Sequence, residues 1–296
     1  MRTVSPRDAP TTVKHLHLLG AAGALHGIEL GHGRPLLLLH GVTANAYVWL
    51  PVMEQLAERY RAIAIDQRGH GRSAVAADRR YDAAVYADDV AAVVSALGAG
   101  PAVVVGHSLG ARNAIEAGAH RPDLVAGVVA VEFTPFVEDA VYDALDERIA
   151  AGQQVFVDRD DVVAYLSRRY PGLDGTAVAR RAEFGFARGQ SGGLEPLADA
   201  YAMQETAAGL RRDLAPALTD LAVGAVLVRG ARSAFVSVAA WAATRRLRPD
   251  LRTETVEDAD HYVPEEQPEA VARIIGELAA EAFAAGDMPD RGGTDE

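Results

Sequence analysis

Cysteine is absent from the 296-residue sequence. Its absence excludes disulfide bonds, a thiolate nucleophile and metal sites built on cysteine, and it fits a cytoplasmic protein. The sequence also lacks a run of roughly 20 uninterrupted apolar residues that could span a membrane. Residues 1–20 contain no continuous apolar segment of the kind that secretory signals require. We therefore expect a cytoplasmic protein without a membrane-spanning segment.

Positive charge is in deficit. The 29 Lys and Arg residues are outnumbered by 41 Asp and Glu residues, which gives a formal net charge of -12. Phosphate groups would be repelled by such a chain, so nucleic acids and anionic membrane surfaces are disfavoured as partners. We expect the partner to be a small-molecule substrate and the protein to be a monomer or a homodimer. No ligand cluster with metal spacing occurs, and neither a metal nor a cofactor is expected.

Short apolar segments alternate with amphipathic, helix-like segments along most of the chain. This alternation predicts an α/β fold with a mostly parallel sheet and helices on both faces. Ligands are then expected at the carboxyl ends of the strands. The segments with the length and β-branched content of strands are 35–41, 61–66, 101–108, 127–133, 225–230 and 252–258.

The alternation is interrupted from Thr134 to Leu221, where helix-like segments are separated by Gly, Pro and Asp and no strand is predicted. We interpret 134–221 as a helical cap, 1–133 with 222–285 as the core, and 286–296 as a disordered tail. Much of the aromatic content lies in this interval, and part of it is expected to line an apolar pocket. The candidate pocket residues are Trp49, Phe133, Phe136, Phe186, Met203 and Tyr262.

The sequence GHSLG at 106–110 matches G-x-S-x-G between an apolar strand and a helix-like segment. That setting is typical of a nucleophile elbow, and it identifies Ser108 as the candidate nucleophile. An acyl-transfer site must also stabilise the negative charge that develops on the carbonyl oxygen. The backbone N–H of Leu109, at the start of the helix, and that of Val42, after the strand PLLLLHG, are the candidate donors.

Four motifs in this order, HGVTANAYVW (40–49), DQRGHGRS (66–73), GHSLG and DHYVPEEQP (260–268), resemble the α/β-hydrolase superfamily. The resemblance covers roughly residues 13 to 285. It implies an eight-stranded, mostly parallel sheet with a cap inserted between strands 6 and 7. It also implies structural roles for His40 and for the DQRGHGRS loop, which includes His70.

His261 is the candidate general base, because it follows the last strand and precedes the final helix, where the family carries its catalytic histidine. The order of serine before histidine agrees with the family. A surface loop histidine is the structural alternative. His107 is adjacent to Ser108 in sequence, but a neighbour on so tight a turn points away, and we expect it to pack beneath the elbow.

The triad acid is missing from its usual place, because no Asp or Glu occurs between Asp220 and Asp250. Glu132 ends an otherwise apolar strand, and a buried carboxylate is costly without a partner. We therefore assign Glu132 as the triad acid, an arrangement similar to zearalenone-type lactonases and to small esterases with a D-I-x-P turn. A purely structural carboxylate, or Asp258 or Asp260, are the alternatives, and Ser233 could add a hydrogen bond.

These assignments predict a serine esterase or lactonase that forms an acyl-enzyme on Ser108 and cleaves a bulky, apolar, neutral substrate. Ser at the elbow argues against epoxide hydrolases and dehalogenases, which resemble this family but carry Asp there. The alternatives are a C–C bond hydrolase and a slow-turnover ligand-binding receptor or pseudoenzyme of the same fold. Arg188, Gln190 and Gln204 could contact a polar group of the substrate or face water.

Overall fold

A single eight-stranded sheet forms the centre of the structure, a computed structural model that describes residues 13–190 and 192–286. Two further strands, β7 (Phe186–Arg188) and β8 (Leu194–Pro196), form a separate hairpin. The strands of the main sheet are β1 (Lys14–Gly20), β2 (Gly23–Gly31), β3 (Arg34–Leu39), β4 (Tyr60–Ile65), β5 (Ala102–His107), β6 (Val125–Val131), β9 (Gly224–Gly230) and β10 (Arg252–Val256).

The strand order in the main sheet is β1-β2-β4-β3-β5-β6-β9-β10. Strand β2 is antiparallel to both β1 and β4, and the strands from β4 to β10 run parallel. The mostly parallel, eight-stranded α/β-hydrolase fold expected from the sequence is confirmed. Each of the six predicted strand segments overlaps a strand of this sheet, and β6 and β9 lie side by side.

Helices cover both faces of the sheet. A 3-10 helix, Ala46–Trp49, precedes the first of them. The α-helices are α1 (Leu50–Leu56), α2 (Ala83–Leu97), α3 (Leu109–His120), α4 (Asp139–Gly152), α5 (Arg159–Arg169), α6 (Gly175–Phe184), α7 (Ala200–Leu210), α8 (Ala215–Asp220), α9 (Val238–Leu247), α10 (Val263–Glu266) and α11 (Pro268–Gly286).

The leucines of β3 show how the sheet forms two apolar layers. Leu36 and Leu38 pack with α1 and α11, whereas Leu37 and Leu39 pack with α2, α3 and α8. This division follows from the alternation of side chains along a strand. All four side chains are fully buried, and burial of each contributes about 1.5–3 kcal/mol. The core therefore fixes the strand ends at which functional side chains lie.

Between β6 and β9 the chain passes through α4 to α8 and the β7–β8 hairpin. We call residues 134–221 the insertion. Aspartate side chains cap α5, α6 and α7 by accepting backbone N–H bonds at their first turns. The prediction that the insertion contains no strand is wrong. Each strand of the hairpin has only three residues, too few for an alternating pattern to be visible in the sequence.

Within the described residues, no helix is long and apolar enough to cross a membrane. The tail assigned as disordered, apart from Gly286, lies outside the described residues.

Candidate active site

Ser108 lies at a tight turn between β5 and α3, with φ of 54°. Glycine is required on both sides of the turn. A Cβ on Gly106 would lie 2.0 Å from the carbonyl oxygen of Gly110, and a Cβ on Gly110 would lie 2.1 Å from that of Leu39. The Ser108 N–H donates to the carbonyl of Val131 at the end of β6 (2.9 Å). Neighbouring strand ends therefore hold the serine in a strained conformation that side chains rarely adopt.

Glu132 follows β6 directly, with φ of 58° and a fully buried side chain. Its Oε1 accepts a hydrogen bond from the N–H of Gly230 (2.7 Å). Its Oε2 accepts one from the hydroxyl of Ser233 (2.6 Å) and lies 3.0 Å from Nδ1 of His261. These three donors satisfy a carboxylate that would otherwise be costly to bury. The last residue of β9 and the loop after it, where the usual acid is missing, thus provide two of them.

His261 lies in the loop that follows β10, close to the end of β9. Gly230 permits this approach, because a Cβ there would lie 2.2 Å from the carbonyl oxygen of Asp260. Nε2 of His107 donates to the backbone carbonyl of His261 (2.7 Å), and the ring of Phe235 lies 4.4 Å from the His261 ring. The His261 backbone is therefore anchored from beneath the elbow, while Glu132 orients its ring.

Three other buried histidines, His40, His70 and His107, have a pKa that burial lowers. The pKa of His107 falls well below its usual value, so a neutral ring makes the contact with His261. His40 and His70 lie beneath the loop that follows β4, where Nε2 of His40 accepts from the Gln67 N–H (3.0 Å). His70 contacts the carbonyl of Arg68 and does not border the cavity beside Ser108.

We expect acid to destabilise the fold through His70. Burial lowers its pKa to about 3, whereas the unfolded chain titrates near 6.5. Below about pH 6.5 the unfolded state therefore binds more protons, and stability falls toward pH 3 by about 1.4 kcal/mol per pH unit for this one histidine. Urea unfolding between pH 7.5 and 5 measures the slope. His70→Gln should flatten it, and His120→Gln, at an exposed position, should not; equal slopes for both variants and the wild type would contradict the account.

The candidate oxyanion donors are the backbone N–H groups of Leu109 and Val42. Leu109 is the first residue of α3, where backbone N–H groups have no partner within the helix and the helix dipole favours negative charge. Val42 follows β3 and borders the same cavity as Ser108 and His261. Their role in binding an oxyanion stays a prediction.

A cavity of about 500 Å³ opens at this edge, within the range of small-molecule sites. We call it the main cavity. Its wall combines the loops that carry Ser108 and His261 with helices α4, α5 and α6 of the insertion. The lining residues are Gly41, Val42, Thr43, Ala44, His107, Ser108, Ala140, Val141, Ala144, Leu145, Arg148, Arg169, Tyr170, Pro171, Arg181, Ala234, Phe235, Asp260, His261 and Tyr262.

Of the six candidate pocket residues, Tyr262 lines the main cavity. Trp49, Phe133 and Met203 instead lie in three separate apolar clusters, where neighbouring side chains bury them almost completely. Phe186 borders a smaller, adjacent cavity. Phe136 is 38% exposed, because it lies on the turn before α4. The assignment of these five residues to the main cavity is corrected, since sequence periodicity does not show which buried side chains face a cavity and which face the core.

Three arginines that the sequence analysis did not select line the main cavity: Arg148 on α4, Arg169 on α5 and Arg181 on α6. Arg169 and Arg181 each belong to an Arg-Arg pair, at 168–169 and 180–181, a pattern typical of a solvated helix face. Neither Arg188, Gln190 nor Gln204 borders this cavity. Tertiary packing of three separate helices brings these arginines to one wall, and such packing leaves no local pattern in the sequence.

The three guanidinium groups differ in their partners. Arg181 forms a buried, bidentate ion pair with Glu265 of α10, through Nε at 3.0 and 3.1 Å and through Nη2. Arg148 and Arg169 form no ion pair with any carboxylate in the described part of the chain. Nη2 of Arg148 donates to the hydroxyl of Tyr262 (3.4 Å), and Nε of Arg169 donates to that of Tyr170 (3.2 Å). Two uncompensated positive charges therefore border the main cavity.

The positive charges at the cavity wall affect the hydroxyl of Tyr170. Burial acts to raise the pKa of its hydroxyl, but the nearby guanidinium groups of Arg181 and Arg169 lower it overall. The Arg181 guanidinium lies 4.4 Å from the centre of the Tyr170 ring. The cavity wall thus favours negative charge. Within residues 13–190 and 192–286, no group of three or more His, Cys, Asp or Glu side chains is arranged to hold a metal ion.

This combination of fold and site defines the class of protein. A family model for the alpha/beta hydrolase fold matches residues 34–190, and the chain belongs to that family. It is 48% identical over 247 residues to the 2-(acetamidomethylene)succinate hydrolase of Mesorhizobium japonicum, covering 83% of this chain and 88% of the relative. It is 30% identical over 261 residues to an esterase of Mycobacterium tuberculosis, covering 86% of each.

The structural comparison points in the same direction. A crystal structure of E-2-(acetamidomethylene)succinate hydrolase superposes with a TM-score of 0.88 and 45% sequence identity, covering 91% of this chain and 100% of that one. These relatives support a hydrolase. An ester or lactone substrate is not confirmed, because the esterase is the less similar of the two relatives, and the alternative of a C–C bond hydrolase fits them better.

Proposed function

We propose that this chain is a serine hydrolase that cleaves the acylamino group of a small dicarboxylate of the 2-(acylaminomethylene)succinate type. One observation carries the proposal. Ser108 and His261, whose ring is hydrogen-bonded to the buried Glu132, border the same cavity as Arg148 and Arg169, two guanidinium groups without carboxylate partners in the described residues. The chain therefore combines the groups needed for acyl transfer with charges that match a dianion.

Charge decides between substrate classes. A neutral, apolar substrate would leave Arg148 and Arg169 partly desolvated and unpaired, which is unfavourable. Carboxylates can each accept two parallel hydrogen bonds from a guanidinium group, and such charge-assisted bonds are about twice as strong as neutral ones. Two free guanidinium groups fit two carboxylates, and succinate derivatives carry two. This replaces the bulky, neutral substrate expected from the aromatic content of the insertion.

The chemistry follows from the geometry. Ser108 Oγ attacks the amide carbonyl while His261 takes its proton, and Glu132 stabilises the imidazolium that forms. The N–H groups of Val42 and Leu109 bind the oxyanion. The C–N bond then breaks, the nitrogen leaves with the proton from His261, and the acyl group remains on Ser108. Water, deprotonated by His261, attacks this ester and restores the serine.

The insertion acts as a cap in this proposal. Helices α4, α5 and α6 provide Arg148, Arg169 and Arg181, whereas the core provides the reacting groups. The ion pair between Arg181 and Glu265 joins the insertion to α10. Glu265 lies three residues after Tyr262, which lines the main cavity. The core therefore provides the groups that react, and the cap provides the positive charges that select a negatively charged substrate.

Incubation of the purified protein with 2-(acetamidomethylene)succinate tests the proposal, with acetate release followed by NMR. We expect stoichiometric acetate from the wild type and none from Ser108→Ala. Neutral p-nitrophenyl esters of increasing chain length serve as comparison substrates. Cleavage of a C–C bond would give a product without free acetate, and a preference for the neutral esters would restore the esterase assignment.

Replacement of either free arginine should raise KM for the dicarboxylate. Arg169→Met removes a charge-assisted contact worth about 1.5–3 kcal/mol, so we expect kcat/KM to fall roughly ten- to hundredfold. Turnover of a small neutral ester should change little, because the reacting groups remain. Arg168→Met, at the adjacent exposed position of α5, is the matched control. Equal losses for the dicarboxylate and the neutral ester would show that Arg169 is only structural.

A further inference from the structure

A second, smaller cavity of about 50 Å³ lies beside the main one. We call it the side cavity. It shares Thr43, Ala44, Arg169, Tyr170 and Arg181 with the main cavity, and these residues form the partition between the two. A single water molecule requires roughly 10–15 Å³ measured in this way, so the side cavity holds a few waters or one very small molecule. It is too small for a dicarboxylate with an acylamino group.

One wall of the side cavity is formed by Gly152, a residue without a side chain. Gly152 ends α4, and a Cβ at this position would lie 3.3 Å from the hydroxyl oxygen of Tyr165 and 3.8 Å from Nη2 of Arg169. A hydroxyl group and a guanidinium group therefore lie around the same small space. Both come from α5, one turn apart, so the helix fixes their separation.

Neither of these groups has its hydrogen-bonding capacity fully used, although Nε of Arg169 donates to the hydroxyl of Tyr170 (3.2 Å). The Tyr165 hydroxyl is buried and has no hydrogen-bond partner among the described residues. Arg169 lacks a carboxylate partner there and lies with its guanidinium carbon 5.7 Å from the Tyr165 ring. A buried polar atom without a partner is unfavourable, and it is rare in folded proteins. A small acceptor that reaches both groups would remove this cost.

Resting on the proposed function, we infer that the side cavity binds a small monocarboxylate of the size of acetate, with Arg169 and Tyr165 as its donors. This is the chemical class of the acyl product. When water adds to the acyl-serine, its oxygen bonds to the carbonyl carbon, the carbon–Ser108 Oγ bond breaks, and the proton on His261 returns to Oγ. The acid then loses its own proton to solvent. Thr43 and Ala44 border both cavities and follow Val42, the candidate oxyanion donor, so the two cavities adjoin at the loop after β3.

Calorimetric titration of sodium acetate tests the inference, with sodium chloride at matched ionic strength as the salt control. The titration is repeated in saturating succinate, which is too large for the side cavity. We expect acetate to bind the wild type and to remain bound, with reduced affinity, when succinate is present, because the two ligands share the Arg169 guanidinium. Gly152→Ala and Tyr165→Phe should each weaken acetate binding at least tenfold. Gly175→Ala, whose added Cβ meets no atom within 4 Å, should leave it unchanged.

Three results would overturn the inference: no acetate binding by the wild type, loss of acetate binding in succinate, or unchanged acetate affinity in both Gly152→Ala and Tyr165→Phe. A titration of succinate alone tests the proposed dicarboxylate site in the main cavity independently of acetate binding in the side cavity. Succinate binding that Arg148→Met weakens supports a dicarboxylate site in the main cavity whether or not acetate binds. Acetate binding without succinate binding would contradict the proposed substrate, but it would still support a monocarboxylate site in the side cavity.

Discussion

Ser108→Ala is expected to abolish measurable turnover of every substrate. The variant removes the atom on which the acyl group is carried, and loss of the nucleophile in a comparable triad lowers kcat by about 10⁶-fold. The fold should persist, because the loss of one oxygen from a side chain that is 6% exposed leaves Gly106, Gly110 and the elbow backbone unchanged. Acetate release and circular dichroism measure the two expectations separately.

Residual activity decides whether Ser108 is the nucleophile. A Ser108→Ala protein that keeps more than about a hundredth of wild-type turnover would contradict covalent catalysis at this position. Binding of succinate should survive the substitution, since Arg148 and Arg169 are untouched. A variant that neither turns over substrate nor binds succinate would have lost more than the hydroxyl group, and its unfolding temperature would show this.

Glu132→Gln is expected to lower kcat by up to about 10⁴-fold, the loss seen when the acid of a serine protease triad becomes an amide. The carboxylate accepts hydrogen bonds from Gly230 and Ser233 and orients His261. An amide of the same shape cannot accept at both ends, so its NH2 group must face one of these donors or force the wrong tautomer on His261. KM should change far less than kcat.

Ser233→Ala is the control for this prediction, because it removes one donor to Glu132 and leaves the charge. Glu132 keeps its hydrogen bonds to the Gly230 N–H and to His261, so we expect only about a tenfold loss in kcat. Comparable losses in Ser233→Ala and Glu132→Gln would mean that the loop after β9 holds the site together and that the charge of Glu132 matters little. Full activity in Glu132→Gln would refute its role as the acid.

The arrangement around Glu132 explains how the acid can be displaced from the loop after β9. Strands β6 and β9 are neighbours in the sheet, so their carboxyl ends meet beside the His261 loop. An acid at either strand end can therefore approach the same imidazole nitrogen. In this chain the loop after β9 contributes Ser233, whose hydroxyl binds Glu132, in place of a carboxylate of its own.

Residues near the ends of core strands could be selected from the sequence because their context is local. Ser108 lies between a buried strand and a helix, and Glu132 is a charge at the end of an apolar run. The structure brings Glu132 within hydrogen-bonding distance of His261, although their catalytic roles stay predictions. Strands β1 and β2 were not located individually, because glycine and histidine interrupt their apolar pattern.

The charge of the cavity could not be predicted in the same way. Arg148, Arg169 and Arg181 lie on three helices of the insertion, and only tertiary packing brings them to one wall. Each lies in a polar helix sequence typical of a solvated face, so its local sequence does not distinguish it from a surface arginine. Most of those aromatic side chains fill apolar clusters, where burial decides their place.

The most direct test of the account is intact-mass labelling by a fluorophosphonate, which needs no knowledge of the substrate. Wild type, Ser108→Ala and Glu132→Ala are labelled in parallel. The account predicts rapid single labelling of the wild type, none of Ser108→Ala and slow labelling of Glu132→Ala. An unlabelled wild type would contradict an activated serine, and labelling of Glu132→Ala at the wild-type rate would show that His261 takes its acid from elsewhere.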